Sequence, residues 1–224
     1  MTVGQEVVRV NPKYDPLEAA DTSTRLQAAM AIGAEADPEL VRVLVARCGV
    51  EPDFFVRDML TWALIQLPAS VTVPLVVAEL DSANAQARSQ ALHTLSKLKE
   101  PATWPAITRQ LLHDPDDEVR RAAWRTAVGL VPAGEERQLA AELVTELGRG
   151  DRDVQLSLSR ALVELGDAAE DALAGAVVSS SVKVQAHARA TERLLRDPEA
   201  NFGALLDEAK RAVALGPQQV HAHR

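Results

Sequence analysis

The chain has 224 residues, room for one large domain or two small ones, and 47% hydrophobic with 25% charged residues suffices for a sizeable core. Aromatics are only 3%, so the apolar material is Ala, Leu and Val, which suits close helix packing and argues against a strand-rich fold. A net charge of −8 argues against broad non-specific nucleic-acid binding, and one cysteine, Cys48, excludes an internal disulfide and fits a reducing, cytoplasmic setting.

In chain order, residues 1–14 read as an N-terminal arm, either disordered or able to add the stretch Glu6-Val7-Val8-Arg9-Val10 to a partner as a strand. The arm lacks the continuous apolar run of a secretory signal, and no later run reaches membrane-spanning length. Residues 15–217 are organised by a repeat. Taking Thr24, Val56, Ala87, Val119, Val154 and Val184 as opening positions puts six segments in register, at intervals of 32, 31, 32, 35 and 30 residues. Each interval is the length of one supersecondary unit.

The segment opening at Thr24 is followed by a partner helix at 38–48, where Asp37-Pro38 supplies an N-cap and a proline at the first helical position. Those opening at Val56 and Ala87 are followed by partners at 71–80 and 102–112, with Pro68 and Pro101 marking the breaks between them. The acidic turn Asp114-Pro115-Asp116-Asp117-Glu118 caps the segment opening at Val119, whose partner is 135–147. The last two partners are 169–178 and 201–215, the latter stopped by Gly216-Pro217, and 218–224 form a C-terminal tail.

Within each segment the side chains at zero, four, seven, eight and eleven residues from the opening form one apolar helix face, as in Val56, Leu60, Ala63, Leu64 and Leu67. Glu35 and Glu192 break the pattern, near the ends where terminal units are atypical. A helix pair this short cannot bury both its faces, so pairs must stack on their neighbours. The predicted fold is all-α, a line of about six helical pairs.

The run Val119-Arg120-Arg121-Ala122-Ala123-Trp124-Arg125-Thr126-Ala127 resembles the second helix of a HEAT repeat, and residues 56–64 and 87–95 are similar. The resemblance, to the HEAT-repeat family that includes phycobilin lyase-like proteins, extends from Pro16 to Pro217 and is supported by Pro74 in a first helix. It implies a right-handed α-α superhelix, a HEAT-type solenoid with its second helices lining the concave face. It also implies a structural ladder of Arg25, Arg57, Arg88 and Arg120, with Asp114 opposite Arg120 and Asp81 opposite Arg88. The pattern departs at Gln155 and Gln185, where glutamine replaces the ladder arginine.

If the apolar face is buried, residues two and six after each opening project together on the other side. Position six reads Met30, Trp62, His93, Arg125, Arg160 and Ala190, and position two reads Leu26, Asp58, Ser89, Arg121, Leu156 and Ala186. The candidate partner-binding residues are therefore Asp58, Trp62, His93, Arg121, Arg125 and Arg160. Trp62 is either an aromatic anchor for a partner or packing against the adjacent unit. The arginines either hold an acidic partner or form a solvated face paired with nearby carboxylates. The six second helices carry 14 Lys and Arg against 6 Asp and Glu, so the basic side chains concentrate there.

No catalytic constellation emerges. The histidines His93, His113, His187, His221 and His223 form no metal-ligand spacing, so no metal or other cofactor is expected. Cys48 reads as a buried small hydrophobe, Glu135-Glu136 as a favourable helix start, and Gly148-Arg149-Gly150 as a helix end rather than a phosphate cradle. The expectation is a non-catalytic scaffold or adaptor holding a protein or peptide of acidic character, without membrane association. The alternative is a DNA-binding HEAT protein resembling alkylation-repair glycosylases, which the Trp62 and Asp58 pair superficially suggests and the acidic net charge disfavours.

Overall fold

The computed structural model describes residues 12–215, and every regular element among them is helical. The α-helices are α1 (Thr22–Glu35), α2 (Val41–Cys48), α3 (Phe54–Gln66), α4 (Ala69–Ala78), α5 (Ala85–Leu98), α6 (Arg109–Leu112), α7 (Asp117–Leu130), α8 (Glu136–Leu143), α9 (Arg152–Glu164), α10 (Asp167–Ala176), α11 (Val182–Arg196) and α12 (Phe202–Leu215). The architecture is that of an α solenoid, and the described residues divide into two compact units, a first up to Leu98 and a second from Lys99 onward. The C-terminal tail, His221, His223 and the Gly216-Pro217 stop lie outside the described residues, as does the arm up to residue 11.

All six second helices, α1, α3, α5, α7, α9 and α11, start from the same device. Three residues before each opening position stands Asp21, Asp53, Asn84, Asp116, Asp151 or Ser181, and its side-chain oxygen accepts a main-chain N–H of the first turn. Such caps contribute about 1 kcal/mol each and fix where the helix begins.

In the first unit α2 packs on α3 and α4 on α5, so first and second helices alternate. The expected face of α3 is wholly buried, from Val56 through Leu60, Ala63 and Leu64 to Leu67. In α1 that face fails: Thr24, Ala31 and Glu35 are exposed and Ala28 half-buried. Among the described residues the only element before α1 is the 3-10 helix Pro12–Glu18, which begins within the predicted arm and buries Leu17, so no full first helix is described there to cover that face. The side of α1 turned to α3, with Arg25, Ala29, Ile32 and Gly33, is buried instead.

The second unit pairs α6 with α7, α8 with α9 and α10 with α11. The partner predicted at 102–112 is broken. Residues Pro101–Ala106 form a 3-10 helix with Pro105 inside it, and a single α-turn, α6, follows the Thr108 cap. Pro105 has no N–H to donate and so cannot continue an α-helix through this stretch. Trp124 of α7 is 1% exposed, and its Nε1–H donates to the main-chain oxygen of Leu112 at 2.9 Å.

The largest departure is at 201–215. These residues do form a helix, α12, but it does not serve as the buried-face partner of α11. It packs on Ala186, Ala190 and Leu194 of α11 through Phe202, Leu205, Leu206 and Ala209, with Leu156 and Val163 of α9 at the edge of the cluster. Positions two and six of the last repeat, Ala186 and Ala190, are therefore closed rather than open.

Candidate functional site

The arginine after each opening residue reaches back to the turn it has just left. Arg25 Nη1 donates to Ala19 and Ala20 main-chain oxygens, Arg57 Nη1 to Glu51 and Pro52, Arg88 Nη1 to Ser82, and Arg120 Nη1 to Asp114, all at 2.8–3.0 Å. Gln155 Nε2 and Gln185 Nε2 donate to Gly150 and Val177 oxygens, so the glutamines keep this role. The link from Arg120 to Asp114 runs through the main-chain oxygen. The Asp114 carboxylate accepts the N–H of Asp116.

The buried carboxylates facing these arginines come from the next repeat, and sequence reasoning missed them. Glu51, fully buried in the turn before α3, accepts Nε and Nη2 of Arg25 at 2.8 Å each, Nε and Nη2 of Arg47, and the N–H of Asp53. Burial pushes its carboxyl up, but these hydrogen bonds outweigh it and hold the pKa at about 2. In the second unit Glu146, 2% exposed, stands 3.8 Å from Arg120 Nε and is also held by His113 Nδ1 and Arg149 Nη1 at 2.6 Å each. One signal was available. Glu51 precedes its opening residue by five positions, as Asp114 does.

On the face at positions two and six, the first unit presents Asp58, Trp62 and His93. Trp62 is 38% exposed, and its ring lies against Gly33 of α1, where a β-carbon would meet Cζ3 at 2.4 Å. Both readings of this side chain therefore describe part of it: one edge packs on the neighbouring helix and the rest is open. Met30 and Ile65, each at least a third exposed, add further apolar surface in this unit. His93 Nε2 lies 3.9 Å from Asp58 Oδ1. Phe54 and Phe55, at the start of α3, are the most exposed aromatic side chains among the described residues and pack edge to face at 5.6 Å.

The second unit presents Arg121, Arg125 and Arg160. Arg121 is engaged, with Nη1 on Glu118 at 2.8 Å and Nε on Ser157 Oγ of α9 at 2.9 Å. Arg125 and Arg160 are exposed and have no side-chain hydrogen bond or ion pair among the described residues. At the far end of this unit, α12 covers the face.

Two further titratable groups, Cys48 and His187, are buried. Burial pushes the Cys48 thiol up to about 12, and Arg47, the cation beside it in sequence, is spent on Glu51, so this is not a thiolate nucleophile. His187 is fully buried in α11. Its Nδ1 accepts the N–H of Gly148, which leaves the proton on Nε2 for Gln155 O and Ser159 Oγ. Burial drives its pKa down to about 4, against a raising effect of the Gln155 carbonyl. Among the described residues no group of three or more metal-type ligands converges, and no helix is long and apolar enough to cross a membrane.

The HEAT repeats family matches residues 51–129. No curated protein matches the chain. Among solved structures, a crystal structure of an engineered protein, a Northeast Structural Genomics Consortium target, is 20% identical, with 88% of this chain and 96% of that chain covered at a TM-score of 0.45. A second engineered protein from the same consortium is also 20% identical, with 92% and 68% covered at a TM-score of 0.44. Residues 51–129 are thus HEAT-repeat sequence, set in a chain whose regular elements among the described residues are all helical.

Proposed function

We propose that this chain is a non-catalytic binding module that holds a protein or peptide partner on the face formed by positions two and six of its second helices, the concave face of a HEAT solenoid. The observation that carries the reading is Trp62. A large aromatic side chain braced on a neighbouring glycine and still 38% exposed is already ordered, so a partner closing over it loses little further side-chain entropy. Asp58 and His93 supply polar contacts beside it in the first unit, and in the second unit, taken by itself, the exposed Arg125 and Arg160 favour an acidic partner.

The test is affinity capture from native-host extract on immobilised full chain, with recovered proteins identified by mass spectrometry. The expected result is a reproducible partner that is lost with Trp62→Ala and with Asp58→Lys, after circular dichroism shows each variant folded. Asp58 is exposed, so its substitution changes the surface without touching the core. Undiminished recovery of the same partner by both variants overturns the reading.

A further inference from the structure

The second unit contains an occupant of this face that the chain supplies itself. In α12, Phe202, Leu205, Leu206, Ala209 and Val213 recur at spacings of three, four, seven and eleven and form one apolar ridge. The ridge sits on Ala186 and Ala190, the position-two and position-six residues of α11, whose small side chains let another helix come close. Its acidic shoulder is paired with arginines that flank the seat. Asp207 accepts Arg152 Nη2 at 2.9 and 3.1 Å through its two oxygens, and Glu208 pairs with Arg193 at 2.6 Å. What this end of the face accepts is a helix with an apolar ridge and carboxylates beside it.

The face continues uncovered onto α9 and α7. Arg160 lies on α9 between Leu156 and Val163, the two half-buried side chains at the edge of the α12 cluster. Arg121 ties α7 to α9 here through Ser157. Beyond it Arg125 stands exposed, and neither Arg125 nor Arg160 has an ionic partner among the described residues. The open part thus has the sign of charge of the closed part, with its carboxylates missing.

We propose that the open face of α7 and α9 binds an acidic amphipathic helix from a protein partner, lying alongside α12. Its carboxylates pair with Arg125 and Arg160, and its apolar ridge rests on the flank of Leu156 and Val163 that α12 leaves open. The inference rests on the reading of this face as protein-binding but uses residues of the second unit only.

Three fluorescein-labelled peptides of the length of α12 test it by anisotropy against the full chain, at low and moderate salt. The first has leucines at the α12 ridge positions and Asp or Glu at the flanking ones. The second keeps the ridge and replaces the acids with lysine, and the third scrambles the first. The expected result is saturable, salt-weakened binding of the first peptide, with the other two at least about tenfold weaker. Arg125→Glu with Arg160→Glu, both at exposed positions, is expected to weaken the first peptide by at least about tenfold. Equal binding to the double variant, equal binding of the scrambled peptide, or no binding of the acidic peptide overturns the proposal. So does an arginine-dependent interaction with duplex DNA in place of the peptide. A natural partner lost with Trp62→Ala but kept by the arginine variant overturns this proposal while leaving the broader reading intact.

Discussion

Gly33 shows how one residue couples packing to the candidate site. In an exposed helix, replacing glycine by alanine usually stabilises by roughly 0.5–1 kcal/mol, because glycine loses more backbone freedom on folding. Here the added β-carbon would meet the Trp62 ring at 2.4 and 2.8 Å and the Cα of Ala63 at 2.9 Å. The ring can turn away, but the main chain of α3 cannot without moving the helix. Overpacking of this kind costs about 1–3 kcal/mol, more than the backbone gain. Gly33→Ala is therefore expected to lower the urea midpoint, and Trp62→Ala in the same chain to restore only part of the loss, since Ala63 remains in the way. A midpoint raised by Gly33→Ala would mean that α1 and α3 are not in close contact. The same residue explains why Trp62 is ordered while exposed.

At the scale of elements, α11 is held by groups that titrate, and the direction of its pH response follows from the geometry. His187 joins the turn at Gly148 to α9 and α11 as a neutral ring, while Phe202 of α12 meets it edge to face at 5.8 Å. Its pKa of about 4 in the fold lies below the ordinary value of 6.5, so the unfolded chain binds the proton first as pH falls. The contribution is complete above pH 6.5 and is lost between there and about 4, a span worth on the order of 3 kcal/mol. Urea unfolding at near-neutral pH and near pH 4 is expected to show a larger fall for the wild type than for His187→Gln, and equal falls would show that the ring is not held neutral. The six second helices, and the buried face of an inner one such as α3, were legible in the sequence because a 3.6-residue period and a repeat interval reinforce each other, whereas the face predicted for α1 was not the one buried. The position of α12 was not. Its own amphipathic pattern fixes that it is a helix, but nothing local to it states which face of α11 it covers. The cap column from Asp21 to Ser181 was written in the chain, and so was the five-residue offset of Glu51. Neither carries the apolar periodicity by which the repeat was found. Of the candidate site, Trp62, Arg125 and Arg160 were legible as exposed because they alternate with core residues on the same helices, whereas the closing of Ala186 and Ala190 depends on a helix some twenty residues further on.

For the whole molecule, the question is whether its cations recognise a polyanion. The second helices hold most of the arginine, yet the chain carries a net charge of −8, which repels nucleic acid at long range. Four of the arginines, Arg25, Arg57, Arg88 and Arg120, are turned back onto the turns that precede their helices, and Arg121 is tied to Glu118 and Ser157. On the candidate face of the second unit this leaves Arg125 and Arg160 for a phosphate backbone. Neutralising two phosphates corresponds to a slope of about −1.8 in log affinity against log salt, well short of the slope of about −10 seen for a strong repressor. Anisotropy titration of labelled duplex DNA is accordingly expected to give weak binding at low salt and a flat trace at moderate salt. A steep slope, corresponding to six or more phosphate contacts, would require cations beyond these two, and would favour DNA over the acidic protein segment proposed as the partner.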